Sequence, residues 1–255
     1  PDDVGTPTAD LLLIKIFLNS VISTDGARFA TADLSNFYLM TPLKRPEYGR
    51  VKMTDIPDEI INEYKLHEKN TDDWVYFKVM WGMYGLPQAG IIAQELLEQM
   101  LGEHGYYQSK IVNGLWKHKT RPICFCLVVD DFAVKYVNRA DVDHLINTIR
   151  KYYPMTVDEE AAKYIGLTIQ WDYTNRKAHI HMPGYLDKAF ARFKHDKPMK
   201  IQNSPYPHVP PSYGAKIQYV EDELDSPTLS KEDTKYIQAV TGTLLYYARA
   251  IDPTI

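Results

Sequence analysis

The sequence has little of what marks secreted, membrane or repetitive chains. Cysteine occurs twice in 255 residues, at Cys124 and Cys126. Two positions apart on a strand, the pair points to one side and cannot join distant segments. It also has no partners at metal-ligand spacing, so both read as buried strand residues in a reducing, intracellular setting. No apolar run reaches membrane-spanning length, and the opening "PDDVGTPTAD" has no signal-peptide pattern. No fixed-period repeat is present. Positive charge is not in excess: 29 Lys and Arg stand against 33 Asp and Glu, a net charge of −4. That balance argues mildly against a nucleic-acid binder, because phosphate contacts want Lys and Arg, although a total can hide a basic groove. The chain does not open with Met and reads as a piece of something longer.

What is present is an ordinary globular composition, 45% hydrophobic and rich in tyrosine, with 19 residues. Residues 7–23 predict a helix buried around most of its circumference, and 28–33 a strand ending near Asp33, followed by a turn and short helix. Further helices are expected at 57–66, 87–105, 138–153, 184–194 and 234–252, and a strand at 74–80. Two hairpins are expected, 122–129 with 132–137 and 163–173 with 177–182. The proline-rich stretch 195–216 reads as an extended linker, and "DEE" (158–160) as a solvated loop. Interleaved helices and hairpins indicate an α+β fold, an antiparallel sheet with helices packed on one face.

The segment "ICFCLVVDDFAVKYV" (123–137) sets Asp130 beside Asp131 in an otherwise apolar run. Like charges repel, and burying either one unpaired is costly or shifts its proton affinity. The pair is expected at the hairpin tip, and Asp33 closes another strand. Three acids at strand ends of one sheet can converge on divalent cations, which take oxygen ligands. Taken alone, "VVDDF" reads first as a hairpin turn with two solvated acids, and only its neighbours change that. A metal-dependent nuclease using the same acids is a further reading, one that gives "GLPQAG" and "YIGL" no work. His179 and His181 alternate on a strand without partners at metal spacing.

The surroundings of the acids carry a resemblance. "TADLSNFYLMTPL", "MYGLPQAG", "LVVDDF" and "KYIGLTI" stand in the order and spacing of reverse-transcriptase polymerase motifs. "PGYLDKAFARF" and "YIQAVTGTLLYYARAIDPTI" resemble the region C-terminal to the palm in copia-type LTR retrotransposon polyproteins. The resemblance runs from about residue 7 to 255. It implies a polymerase right hand: partial fingers and palm over 1–182, and a thumb-like or connection segment over 183–255 containing the proline-rich linker. The implied activity is RNA-directed DNA synthesis, extending a primer with dNTPs by two-metal nucleotidyl transfer. The alternative is an inactive retroelement remnant that binds nucleic acid or protein.

By the same resemblance Asp33, Asp130 and Asp131 are the catalytic, metal-holding acids, for two Mg²⁺ ions with Mn²⁺ as a substitute. Leu34, Asn36, Phe37, Tyr38 and Gln88 fall at nucleotide-binding positions, with the Tyr38 ring where it would exclude a ribose 2′-hydroxyl. Val128, Tyr164 and Gly166 fall at primer-binding positions. The implied partners are a primer–template of RNA and DNA, dNTPs, and other polyprotein parts (fingers, RNase H), with no membrane and a cytoplasmic or particle-associated setting. Two departures stand out. Val128 occupies the place of the tyrosine in a Tyr-x-Asp-Asp pattern, and the stretch before "KYIGL" is acidic, with only Lys163 nearby, where relatives often carry a base.

Overall fold

A computed structural model describes residues 6–196, 213–214 and 228–255. Most of the expected linker, 197–212 and 215–216, lies outside the described residues. The chain divides after His179 into two compact units.

The first unit opens with helix α1 (Leu11–Ser23), whose Asp10 side chain accepts from Leu13 N–H at the N-terminus. Ile14, Phe17, Leu18 and Val21 are buried, but Leu12 and Ile16 are 62% and 58% exposed, so α1 is buried on one stripe only. Strand β1 (Arg28–Leu34) follows. β2 (Pro42–Lys52) and β3 (Trp74–Trp81) pair as a separate two-stranded sheet, with helix α2 (Asp58–Tyr64) between them in sequence. β2 escapes the sequence reading because Pro42, Pro46 and Gly49 are strand breakers; the irregularity between Pro42 and Glu47 absorbs Pro46.

Helix α3 (Pro87–Glu103) starts with Pro at its first position, then come β4 (Tyr106–Gln108), β5 (Leu115–His118), β6 (Cys124–Val128) and β7 (Asp131–Tyr136). Helix α4 (Arg139–Arg150) and β8 (Met155–Asp158) complete a six-stranded sheet of order β4-β5-β6-β7-β1-β8, in which every pair is antiparallel. A three-stranded sheet of order β11-β10-β9 comprises β9 (Lys163–Tyr164), β10 (Leu167–Asp172) and β11 (Lys177–His181).

Strand alternation sorts the large sheet into two faces. Ala30, Ala32, Leu34, Phe125, Leu127, Phe132 and Val134 join one core with residues of α3 and α4, including Leu97, Leu101, Leu145 and Ile149. The other face carries Phe29, Asp33, Cys126, Asp131 and Lys135. Here the expectation of helices on one face fails. Lys135 Nζ donates to the Ser20 carbonyl and to Thr24 Oγ1 at the end of α1, and Phe17 of α1 meets Phe29 edge-on. Trp171 also packs on Phe29 at 5.0 Å. The sheet is therefore covered on both faces except near the acids. "DEE" is solvated as expected: Asp158 ends β8, and Glu159 and Glu160 follow it in an exposed bend where Glu159 pairs with Arg139.

In the second unit, helix α5 (Tyr185–Arg192) and helix α6 (Lys231–Ala250) are joined by Tyr185, whose hydroxyl donates to the Thr243 carbonyl at 3.0 Å and whose ring stacks on Tyr247. Ser230 caps α6 through the Asp233 N–H.

Candidate functional site

Register brings the three acids together. Asp33, one residue from the end of β1, lies directly opposite Asp131, the first residue of β7. Opposed residues have Cα atoms about 4.5–5.5 Å apart across the two strands and place their side chains on one face. Val128 pairs with Asp131, leaving Val129 and Asp130 as a two-residue turn. The acids thus differ from the expected pair at the tip: Asp130 sits in the turn, and Asp131 belongs to the strand. The Leu34 N–H donates to the Asp130 carbonyl at 3.1 Å, tying the turn to the end of β1.

Val129 holds φ at 60°. This first central position of a tight hairpin turn favours Gly, and a β-branched residue there is strained by roughly 1–3 kcal/mol. The surrounding strands hold it. Tyr164, buried in the first unit, donates its hydroxyl to the Asp131 carbonyl at 3.2 Å, fixing β9 to the acidic strand.

The carboxylates affect one another. Partial burial, then the Asp130 and Asp33 charges, push Asp131 up to about 6. Burial also raises Asp130, opposed by a backbone hydrogen bond and reinforced by Asp33. Tyr38 is raised by burial and then by Asp130, which places its phenol in the field of the same acids.

Tyr38 is held by the "GMYGLPQAG" segment (82–90). A Cβ on Gly82 would stand 2.4 Å from the Tyr38 carbonyl oxygen, so only glycine lets the backbone pass there. Gly82 N–H donates to the Thr41 carbonyl, and Tyr84 meets the Tyr38 ring edge-on at 5.2 Å. Gln88 enters α3 here, and its Nε2 donates to Glu47 Oε1 of β2 at 2.9 Å.

The remaining predicted residues have varied settings. Leu34 is 1% exposed with its N–H committed to Asp130, and Phe37 is buried against Tyr38 and Tyr153. Asn36 is exposed with φ at 58°. Val128 is half-buried beside the turn. Gly166, with φ at 80°, makes the bend between β9 and β10. Sequence reasoning missed Tyr84, Glu47 and the strained Val129. Of these only Val129 carried a signal, a two-residue turn without Gly or Asn between strong strand formers.

The oxygens available to a hard cation are the carboxylates of Asp33, Asp130 and Asp131, a donor set suited to Mg²⁺. Among the described residues no group of three or more His, Cys, Asp or Glu forms a ready-made metal cage. Mg²⁺ is commonly held by one or two carboxylates and completes its shell with water and substrate phosphates, so the acids present fit it without a full cage.

No family model matches the chain, and no curated protein matches it in sequence. Among solved structures it is similar to one described as apo telomerase from Candida tropicalis. The identity is 12% and the TM-score 0.40, over 73% of this chain and 40% of that one. The chain therefore spans 40% of that protein's solved length. What stands is a mixed α/β architecture built on antiparallel sheets. Among the described residues no helix is long and apolar enough to cross a membrane.

Proposed function

We propose that this chain is the palm-centred core of an RNA-directed DNA polymerase of the copia-type LTR retrotransposon class, with a thumb-like segment after residue 182. The observation that carries the reading is the placement of Asp33 opposite Asp131 with Asp130 in the adjoining turn, within reach of Tyr38. The four motifs that resemble reverse transcriptases meet in that neighbourhood. The reaction is attack of a primer 3′-hydroxyl on the α-phosphate of a dNTP.

Asp33, Asp130 and Asp131 are the residues that would hold Mg²⁺, or Mn²⁺ in its place. Two bound ions supply charge stabilisation to the attacking and leaving oxygens of an in-line displacement. The protein's own part is positioning. The Asp130 carbonyl is locked by Leu34 and the Asp131 carbonyl by Tyr164, so neither carboxylate swings with a loose loop. The Tyr38 ring, met edge-on by Tyr84 while its backbone packs against Gly82, is a wall that would meet a 2′-hydroxyl. Because Leu34 has spent its N–H, triphosphate contact falls to the backbone amides of Asn36 and Phe37, the Phe37 side chain being buried. Gln88 must exchange its bond to Glu47 for one to nucleotide, a switch that costs on the order of 1 kcal/mol.

Primer extension on an RNA template with dNTPs, in Mg²⁺ and then Mn²⁺, tests this. Extension is expected from the wild type and is expected to fall to background in Asp130→Asn with an unchanged circular dichroism spectrum. Extension retained by Asp130→Asn refutes the assignment. The acidic balance of the chain, a net charge of −4, favours a second reading, a catalytically inactive remnant. That reading gains if folded wild type incorporates nothing in either metal.

A further inference from the structure

The β2–β3 pair has a face that the site does not use. Its register sets Tyr48 opposite Lys78, Arg50 opposite Tyr76 and Lys52 opposite Trp74. Opposed residues share a face, so three successive rungs each pair one cation with one aromatic ring. The reverse face carries Val51, Val75 and Gly49, with the Phe77 ring packed where a Gly49 side chain would stand. The ladder itself is open: Tyr48 is 77% and Tyr76 63% exposed, and Arg50, Lys52 and Lys78 present their side chains along the same strands. Trp74, half-buried, holds the cations in place, with the Arg50 guanidinium 4.3 Å and the Lys52 ammonium 5.6 Å from its ring centre. None of the six residues is acidic, although the chain as a whole is. Asp72 and Asp73 bound the patch beyond the Trp74 rung.

We propose that this face binds a single-stranded nucleic acid, with Tyr48 and Tyr76 stacking on bases and Arg50, Lys52 and Lys78 facing phosphates. Charge complementarity selects the occupant. An acidic peptide would use the three cations but offers no flat faces to the two outward rings, whereas an unpaired strand alternates flat bases with anionic phosphates at the spacing of the rungs. A duplex hides its base faces and would leave the tyrosines idle. The inference goes beyond the polymerase reading, because the chemistry of this face is the same in a catalytically inactive chain.

The test is fluorescence anisotropy of labelled dT15 and rU15 with the whole chain, in EDTA and without nucleotides, so that it is blind to polymerisation. Tyr48→Ala/Tyr76→Ala is expected to weaken binding about tenfold or more. Tyr48→Phe/Tyr76→Phe should bind as wild type, since the ring and not the hydroxyl is used. Arg50→Gln/Lys52→Gln should weaken binding and reduce the slope of log K against log salt by about 1.4. On an abasic strand of equal length the Tyr→Ala penalty should vanish. Four results overturn the proposal: unchanged affinity in the Tyr→Ala variant, the same Tyr→Ala penalty on the abasic strand, the same Tyr→Ala penalty on duplex as on single strand, or equal competition by polyglutamate. A fall in melting temperature with intact binding also overturns it, by reducing the ladder to cross-strand packing.

Discussion

Two antiparallel strand pairs in the first unit, one closed by a tight turn and one by a long helical connection, reach opposite ends. β6–β7 lies inside the six-stranded sheet, flanked by β5 and β1, with Phe125, Leu127 and Phe132 almost wholly buried. β2–β3 stands as a two-stranded sheet with one face open. The buried pair carries acids at its turn; the open one carries bases along its length. Exposed bases keep their hydration and cost the fold little. The acids sit where burial and mutual repulsion work against ionisation, and the surrounding hydrogen bonds hold them there.

The sharpest way to break this contrast is to truncate one aromatic in each pair. Phe132→Ala should cost about 3–5 kcal/mol in urea denaturation, because the ring is fully buried against Phe125. Phe77→Ala, 40% exposed, should cost about 1 kcal/mol. Equal costs would mean that the two-stranded sheet is as deeply packed as the six-stranded one.

Glycine substitution sharpens it within the buried hairpin. Val134→Gly should lose about 3 kcal/mol by the same measurement, from side-chain burial and backbone entropy together. Val129→Gly should change stability by less than about 1 kcal/mol, since relief at its positive φ offsets the lost side chain. A large loss at Val129 would show that the turn is not strained.

Next in size is the response to pH. Asp131 is raised from the ordinary 3.8 to about 6, so between those values the folded chain holds a proton that the unfolded chain has released. The resulting stability is fully present below pH 3.8 and is lost as pH rises through about 6. Its size is about 1–2 kcal/mol after allowance for partial exposure. Denaturation midpoints in metal-free buffer should decline from pH 4 to 7 in the wild type and less so in Asp131→Asn. Arg50→Gln should leave the profile unchanged, since Arg50 lies on the separate β2–β3 sheet. An unaltered slope in Asp131→Asn would remove the acid cluster as its cause.

The smallest effect joins the two regions. Gln88→Ala removes the bond to Glu47 and should cost about 1 kcal/mol. Hydrogen exchange should then quicken in β2–β3 and not in β6–β7. Faster exchange in both would make them a single cooperative unit.

Residue order by itself determined the elements whose periodicity is strong: α3, α4, β1, β3 and the two strands around Asp130 are legible from spacing, capping and β-branched runs. It also carried the candidate acids, because adjacent carboxylates in an apolar run conflict with burial wherever the run lies. It did not determine β2, where prolines mask a strand that only pairing with β3 stabilises. Nor did it determine the burial of Leu34, Phe37 and Tyr164, which read as contact positions but lie inside the packing. Tertiary structure alone decided that Asp33 faces Asp131, that α1 covers the second face of the sheet, and that Tyr48, Arg50 and Lys52 align with Trp74, Tyr76 and Lys78. Register is set by which faces become buried and by the turn that joins the strands. Neither exists until distant segments have met.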